Sequence, residues 1–117
     1  MDKCMQTKEI SVLYVTFSNA EEAQTVGGEM VKSRLAACMN IVPAKSCYVW
    51  QGKFETEEEI IAIFKTKPSL VDDFREKIQA LHSYQVACIL TWNVNANTEY
   101  ADWIDENTGG RVKDFSR

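Results

Sequence analysis

The chain has 117 residues, with 13 Lys and Arg against 17 Asp and Glu and a formal net charge of −4. This length supports one domain, and 45% hydrophobic with 26% charged residues is typical of a globular protein. The negative charge excludes a nucleic-acid partner held by clustered cations. No apolar run approaches the roughly 20 residues that span a bilayer. We therefore expect neither nucleic acid nor a membrane among its partners.

The cysteines point to a reducing compartment. The four residues, Cys4, Cys38, Cys47 and Cys88, are far apart and form no Cys-x-x-Cys pair. A secreted domain that depends on disulfides is denser in cysteine. The segment Met1–Gln6 lacks the apolar core of a secretion signal. We expect a cytoplasmic protein whose cysteines are mostly small buried hydrophobic residues.

The chain opens with a predicted strand and helix. Ile10–Phe17 is β-branched and aromatic on both faces, which predicts a central strand covered on both sides. Ser18 followed by Glu21 is a capping-box signature, so a helix should begin here. Gly27-Gly28 lies inside that helix. Either the backbone approaches the sheet closely there, or the pair is a weak point that packing tolerates.

The middle of the chain predicts a strand with two large aromatic residues. A strand over Ala37–Val42 should end at Pro43, and Ser46–Phe54 should form the next one. Tyr48 and Trp50 are two positions apart, so they point to the same face of an extended strand. A chain this short has little with which to cover them. A neighbouring subunit is therefore a candidate for covering this strand.

The second half of the chain is also predicted to contain strands and helices in alternation. Glu55–Glu59 is interpreted as a solvated acidic link, and Ile60–Thr66 as a strand. A helix should begin near Pro68-Ser69, because proline is favoured in the first turn. A strand over Val86–Val94 and a helix over Thr98–Glu106 complete the pattern. Residues 10–107 would form the domain, between a flexible segment at 1–9 and a polar tail at 108–117.

The predicted order is β-α-β-β-α-β with one further helix. This order is typical of an α+β, ferredoxin-like split β-α-β sandwich, with both main helices on one face of an antiparallel sheet. The second and third strands form an extended hairpin. Aromatic residues could occupy the other sheet face, and such a face favours oligomerisation.

Several segments together resemble the CutA family, the divalent-cation tolerance proteins. The resemblance rests on Leu35–Ile41, on Ser46-x-Tyr48-x-Trp50-x-Gly52-Lys53, on Glu59 through Lys65-Thr66, on His82-Ser83-Tyr84, and on Tyr100 and Trp103-Ile104. It covers about residues 10–107. It implies a ferredoxin-like fold, a tight homotrimer, a cytoplasmic location and a link to copper and other divalent metals.

The departures from the family pattern concern metal binding. Ser83 replaces the proline that usually follows the histidine, Ala87-Cys88 replaces a Pro-Glu pair, and Val15 stands where some bacterial members have cysteine. In those members the cysteine, histidine and glutamate are suspected metal ligands. The resemblance therefore leaves His82, with Cys88 as a softer replacement, to bind Cu(II) or another divalent cation weakly. Alternatively, His82 only interacts with the last carbonyls of a helix.

The sequence predicts no catalytic activity, because it has no Ser-His-acid set around its single histidine. CutA trimers resemble the PII signalling proteins, which implies an alternative function: binding of a small effector in a cleft between subunits. Tyr48, Trp50, Lys65 and Tyr84, with His82 beside them, would suit an anionic or planar ligand. The other interpretation is that these residues only build the trimer interface.

Overall fold

The computed structural model describes residues 6–110, which form one four-stranded antiparallel sheet with three helices. The strands are β1 (Thr7–Phe17), β2 (Cys38–Trp50), β3 (Lys53–Thr66) and β4 (Ile89–Asn97). Their order in the sheet is β2-β3-β1-β4, so β1 is a central strand and β2 is an edge strand. This topology confirms the α+β, ferredoxin-like fold.

The helices differ in regularity. Helix α1 consists of three consecutive segments, with a π-helical turn at Ala23–Gly27 between α-helical turns at Ala20–Glu22 and Gly28–Lys32. Helix α2 (Val71–Leu81) follows a short 3-10 turn, and α3 (Thr98–Glu106) follows β4 directly. The helix at the C-terminal end therefore has the predicted bounds.

One face of the sheet carries the main core. Leu13, Val15 and Phe17 alternate along β1 and are fully buried, as alternation in a strand requires. They lie against α1 and α2, whose Phe74 and Ile78 are also fully buried. Burial of each such side chain stabilises the fold by about 1.5–3 kcal/mol. This core positions β1 and β3 at the centre of the molecule.

The opposite face is covered only at one end. There α3 packs Ala101 and Ile104 against Ile10. The rest of this face, which we call the open face, presents apolar and aromatic side chains to solvent. The side chains of Val42, Leu90 and Trp92 are 42%, 46% and 49% exposed, and Tyr14 packs edge-on against Trp92 with ring centroids 6.1 Å apart.

The predicted strand end at Pro43 was wrong. Strand β2 continues from Cys38 through Pro43, which pairs with Ile60 of β3, to Trp50. Since β2 is an edge strand, it can accommodate a proline whose nitrogen points away from the ladder. The first predicted strand and most of the second are therefore one strand of 13 residues. The predicted end of the second strand at Phe54 was wrong, because Gln51-Gly52 form a turn and Lys53 begins β3.

The predicted acidic link at Glu55–Glu59 was also wrong. These residues lie inside β3, where Glu55 pairs with Tyr48. The turn is instead Gln51-Gly52, whose φ angles of 51° and 82° suit the two-residue hairpin turns that match strand twist. The result is a long β2–β3 arm. A run of charges indicated a solvated turn, but alternate glutamates of a strand share one side of a sheet.

Two boundaries shift by a few residues. The N-cap of α1 is Asn19 in place of Ser18: its Oδ1 accepts a hydrogen bond from the Glu22 amide at 2.7 Å. Strand β4 begins at Ile89, and Val86 lies in the preceding connection with 69% of its surface exposed.

The predicted flexible ends are described only in part. β1 begins at Thr7, and Thr108 is buried near the end of α3. Residues 1–5 and 111–117 lie outside the described range.

The two adjacent glycines of α1 have different environments. A Cβ built on Gly27 would collide with Sδ of Met39 and lie 3.2 Å from Cζ of Phe64. A Cβ on Gly28 would meet nothing within 4 Å. Close approach to the sheet therefore explains Gly27, while Gly28 is the position that packing tolerates.

These environments predict opposite effects of alanine. Gly28→Ala should raise the free energy of unfolding by up to about 1 kcal/mol, because alanine is the better helix former. Gly27→Ala should lower it by about 1–3 kcal/mol, because the methyl group overpacks the core. Urea unfolding at one protein concentration measures both. Equal stabilities of the two variants would contradict the close packing of Gly27.

Candidate functional site

A cavity of about 480 Å³ lies along the β2–β3 arm, on the same side of the sheet as the open face. Its wall consists of aromatic residues of β2, acidic residues of β3, the connection between α2 and β4, and Thr16 of β1. The main lining residues are Tyr48 and Trp50; Glu55, Glu57 and Glu59; and Tyr84, Val86 and Cys88. We call this space the arm cavity.

Two tyrosines hold two of the glutamates in place. The Tyr48 hydroxyl donates to Oε1 of Glu57 at 2.8 Å, and the Tyr84 hydroxyl donates to Oε2 of Glu59 at 2.6 Å. The hydrogen bond to Glu57, with some burial, raises the pKa of Tyr48 to about 12. Burial and the bond to Glu59 raise the pKa of Tyr84 well above its usual value. Both phenols therefore stay protonated near neutral pH and act as donors.

His82 fixes the start of the connection that carries Tyr84. Its Nε2 lies 2.6 Å from the carbonyl oxygen of Thr16, and its Nδ1 lies 3.0 Å from the Tyr84 amide. A carbonyl can only accept and an amide can only donate, so this arrangement needs the tautomer with the proton on Nε2. The ring also stacks on Phe17, with centroids 4.6 Å apart. Both ring nitrogens are thus engaged inside the chain.

Glu22 of α1 holds Ser83, the residue that follows His82. The Ser83 amide donates to Oε2 of Glu22 at 3.0 Å, and the Ser18 hydroxyl reaches Oε1 at 3.2 Å. Burial alone would raise the pKa of Glu22, but these hydrogen bonds hold it below its usual value. Together, His82 and Glu22 fasten the connection to β1 and α1, and so set the position of Tyr84 in the cavity wall.

The two predicted metal ligands do not share this cavity. Cys88 lines it, whereas His82 points to the Thr16 carbonyl and is not a lining residue. Burial, and to a smaller extent Glu59, raises the pKa of the Cys88 thiol, which therefore stays protonated without a metal. Within residues 6–110, no group of at least three His, Cys, Asp or Glu side chains could hold a metal ion. Within one chain, the described residues therefore do not fit such a site.

Three of the four predicted effector residues come together. Tyr48, Trp50 and Tyr84 line the arm cavity, but Lys65 does not. Lys65 is six positions beyond Glu59 on the same strand, about 20 Å along it, and its Nζ contacts Oδ1 of Asn40. The predicted cation is therefore absent from the cavity wall.

The sequence interpretation missed the glutamates. Glu55, Glu57 and Glu59 recur at intervals of two, which is the period of a strand and places all three on one side. That spacing, opposite the aromatic pair Tyr48 and Trp50, was the signal that could have identified them. Among the described residues that line the cavity, none is Lys or Arg, so its wall is strongly acidic.

Comparisons with known proteins agree with the fold. The family model for the CutA1 divalent ion tolerance protein matches residues 11–107. A divalent-cation tolerance protein CutA from Thermus thermophilus is 39% identical over 100 residues, which cover 84% of this chain and 97% of that relative.

Solved structures give the same result. The structure of CutA from Synechococcus elongatus has a TM-score of 0.86 at 30% identity and covers 91% of this chain and 96% of its own. The structure of CutA from Archaeoglobus fulgidus has a TM-score of 0.81 at 35% identity, and the match covers 84% of this chain and 97% of that one. The latter protein is described as periplasmic.

The family match covers most of the described part of the chain. No helix within residues 6–110 has both the length and the apolar character needed to cross a membrane. The family match covers nearly the whole sheet and all three helices. The chain therefore belongs to the CutA1 family of divalent ion tolerance proteins.

Proposed function

We propose that this chain forms a homotrimer with a non-catalytic role in the tolerance of divalent metal ions, copper among them, in the cytoplasm. The observation that carries the proposal is the family match over residues 11–107. The relatives from Thermus thermophilus and Archaeoglobus fulgidus are both called divalent-cation tolerance proteins. These names refer to the tolerance of metal ions and mention no chemical reaction.

The open face supports the assembly. Val42, Leu90 and Trp92 are each more than 40% exposed on the side of the sheet that α3 leaves uncovered. Contiguous apolar surface of this kind marks interaction sites in soluble proteins. Two further copies of the chain would remove it from water, and closed symmetry is the usual outcome for such self-association.

Metal binding, where it occurs, is weak and is completed between subunits. His82 and Cys88 supply at most two ligands per chain, and each is already engaged or protonated within its own subunit. Zinc and copper sites need three or four ligands in close geometry. Side chains of a neighbouring subunit would have to supply the remainder.

The second candidate function is a PII-like signalling module that binds a small effector. The observation that favours it is the arm cavity, which is large enough for a small molecule and is walled by Trp50, Tyr48 and Tyr84. The cavity faces the side that a neighbouring subunit would cover. Both candidates therefore share one assembly and differ in the ligand.

A matched pair of leucines tests the assembly. Leu90 on the open face and Leu81 at the end of α2 are 46% and 43% exposed, on different sides of the molecule. Leu90→Glu should dissociate the trimer into monomers, because it would bury a charge at the interface. Leu81→Glu should leave the trimer intact. Size-exclusion chromatography with light scattering measures both, and unchanged mass for Leu90→Glu would contradict the proposed interface.

Calorimetric titration tests the metal proposal. Cys88→Ser and His82→Asn should each weaken the binding of Cu(II) by about tenfold or more, as the loss of a ligand does. Cys47→Ser, which removes an exposed cysteine of the arm, is the matched control. A parallel titration uses Zn(II), which cannot oxidise a thiol. Weaker binding of Zn(II) by the variants would therefore reflect a lost ligand and not oxidation of cysteine by Cu(II). Binding that is the same in all four proteins would remove His82 and Cys88 as ligands.

A further inference from the structure

We propose that the arm cavity binds a small organic cation, a primary ammonium or guanidinium group attached to an apolar body. The cavity would hold the charged group at Glu59 and the apolar body against Trp50 and Tyr48. The inference goes beyond metal tolerance, because it assigns a different ligand to Glu59, Tyr48 and Trp50, which line the cavity together with Cys88. It also replaces the anionic ligand that the sequence suggested, since Lys65 lies outside the cavity.

The charge of the cavity selects the sign of the ligand. Glu55, Glu57 and Glu59 project into it from β3, and the described lining residues include no Lys or Arg. The wall is partly sheltered from water, so charges there interact more strongly than on an open surface. An anion would be repelled, while a cation would relieve the repulsion among the glutamates.

Glu59 gives the position of the cationic group. The side chain is only 9% exposed, and it lines the cavity. Oε2 accepts the hydrogen bond from Tyr84, whereas Oε1 has no hydrogen-bond partner among the described residues. Oε1 remains accessible from the cavity, so an N–H of a ligand can donate to it without breaking a hydrogen bond within the chain. A ligand that donates in this way is an ammonium or guanidinium group and not a quaternary amine, which has no N–H.

The aromatic side chains give the position of the apolar body. In a single chain, Trp50 and Tyr48 are 41% and 36% exposed where they line the cavity. An indole ring attracts a cation to its face and also packs against apolar groups. The Tyr48 hydroxyl is already committed to Glu57, so its ring is the free part. An amphipathic amine would use both features of this wall.

The arrangement of the glutamates argues against a bare metal ion, because no group of at least three His, Cys, Asp or Glu side chains among residues 6–110 could hold one. Alternate residues of a strand lie about 6.6–6.8 Å apart, and Tyr48 and Tyr84 hold Glu57 and Glu59 in place. Oxygen ligands of one Ca²⁺ or Mg²⁺ each lie about 2.0–2.6 Å from the ion. An extended organic cation can contact separated carboxylates, whereas a single ion needs them to converge.

The experiment uses the full-length wild-type protein and three probes of one shape. We expect 2-phenylethylamine, a cation, to bind with calorimetric heat and to perturb NMR signals of Trp50 and Tyr84. The neutral 2-phenylethanol should bind about tenfold or more weakly, because it lacks the charge-assisted hydrogen bond. Phenylacetate should not bind. Equal binding of the alcohol, or binding of phenylacetate, would overturn the proposal.

Variants of adjacent glutamates locate the site. Glu59→Gln should weaken the binding of 2-phenylethylamine by about tenfold or more. Glu58→Gln should leave it unchanged, because Glu58 pairs with Lys45 on β2 and points to the other side of the sheet. Trp50→Leu keeps an apolar wall and should also weaken the binding of the amine. This second variant tests the site even if Glu59→Gln does not fold. Equal effects at Glu58 and Glu59 would refute the site.

Other occupants of the cavity would also overturn the proposal. If a Lys or Arg of another copy fills the cavity, 2-phenylethylamine will not bind the assembled wild-type protein, and Glu59→Gln will alter its mass. If Mg²⁺ competes with the amine at equal concentration, the cavity is a metal site. A failed copper titration leaves these results unaffected, so the two proposals can be judged separately.

Discussion

The unequal covering of the two sheet faces governs the rest of the molecule. Helices α1 and α2 bury Leu13, Val15 and Phe17 on one face, while α3 covers only the end of the other near Ile10. Among residues 6–110, no further helix or strand covers the remainder. The exposed apolar surface around Leu90 and Trp92 is the observation on which the proposed assembly rests.

The same geometry creates the arm cavity. The period of two along β3 places Glu55, Glu57 and Glu59 on the side that the helices do not cover, and the tight turn at Gln51-Gly52 brings Tyr48 and Trp50 beside them. His82 then fixes the connection that brings Tyr84 to Glu59. The histidine that the family resemblance associates with metal is, in this chain, a support for the cavity wall.

Much of the fold could be predicted because periodicity reports local packing. Ile10–Phe17 and the C-terminal helix follow directly from apolar patterns, as does the shared face of Tyr48 and Trp50. The run at Glu55–Glu59 was harder, since its charges outweighed its strand period. Local patterns also could not show that β2 is an edge strand that tolerates Pro43, or that Lys65 lies far from the cavity. Those features depend on pairing between distant segments.

The central claim is that other copies of the chain cover the open face. Sedimentation equilibrium of the unmodified protein over a wide range of concentrations tests it most directly. A trimer should have a mass three times the 13.3 kDa of one chain, and this mass should persist down to low micromolar protein. A mass of 13.3 kDa at all concentrations would contradict it, because the surface around Leu90 and Trp92 would then remain in water.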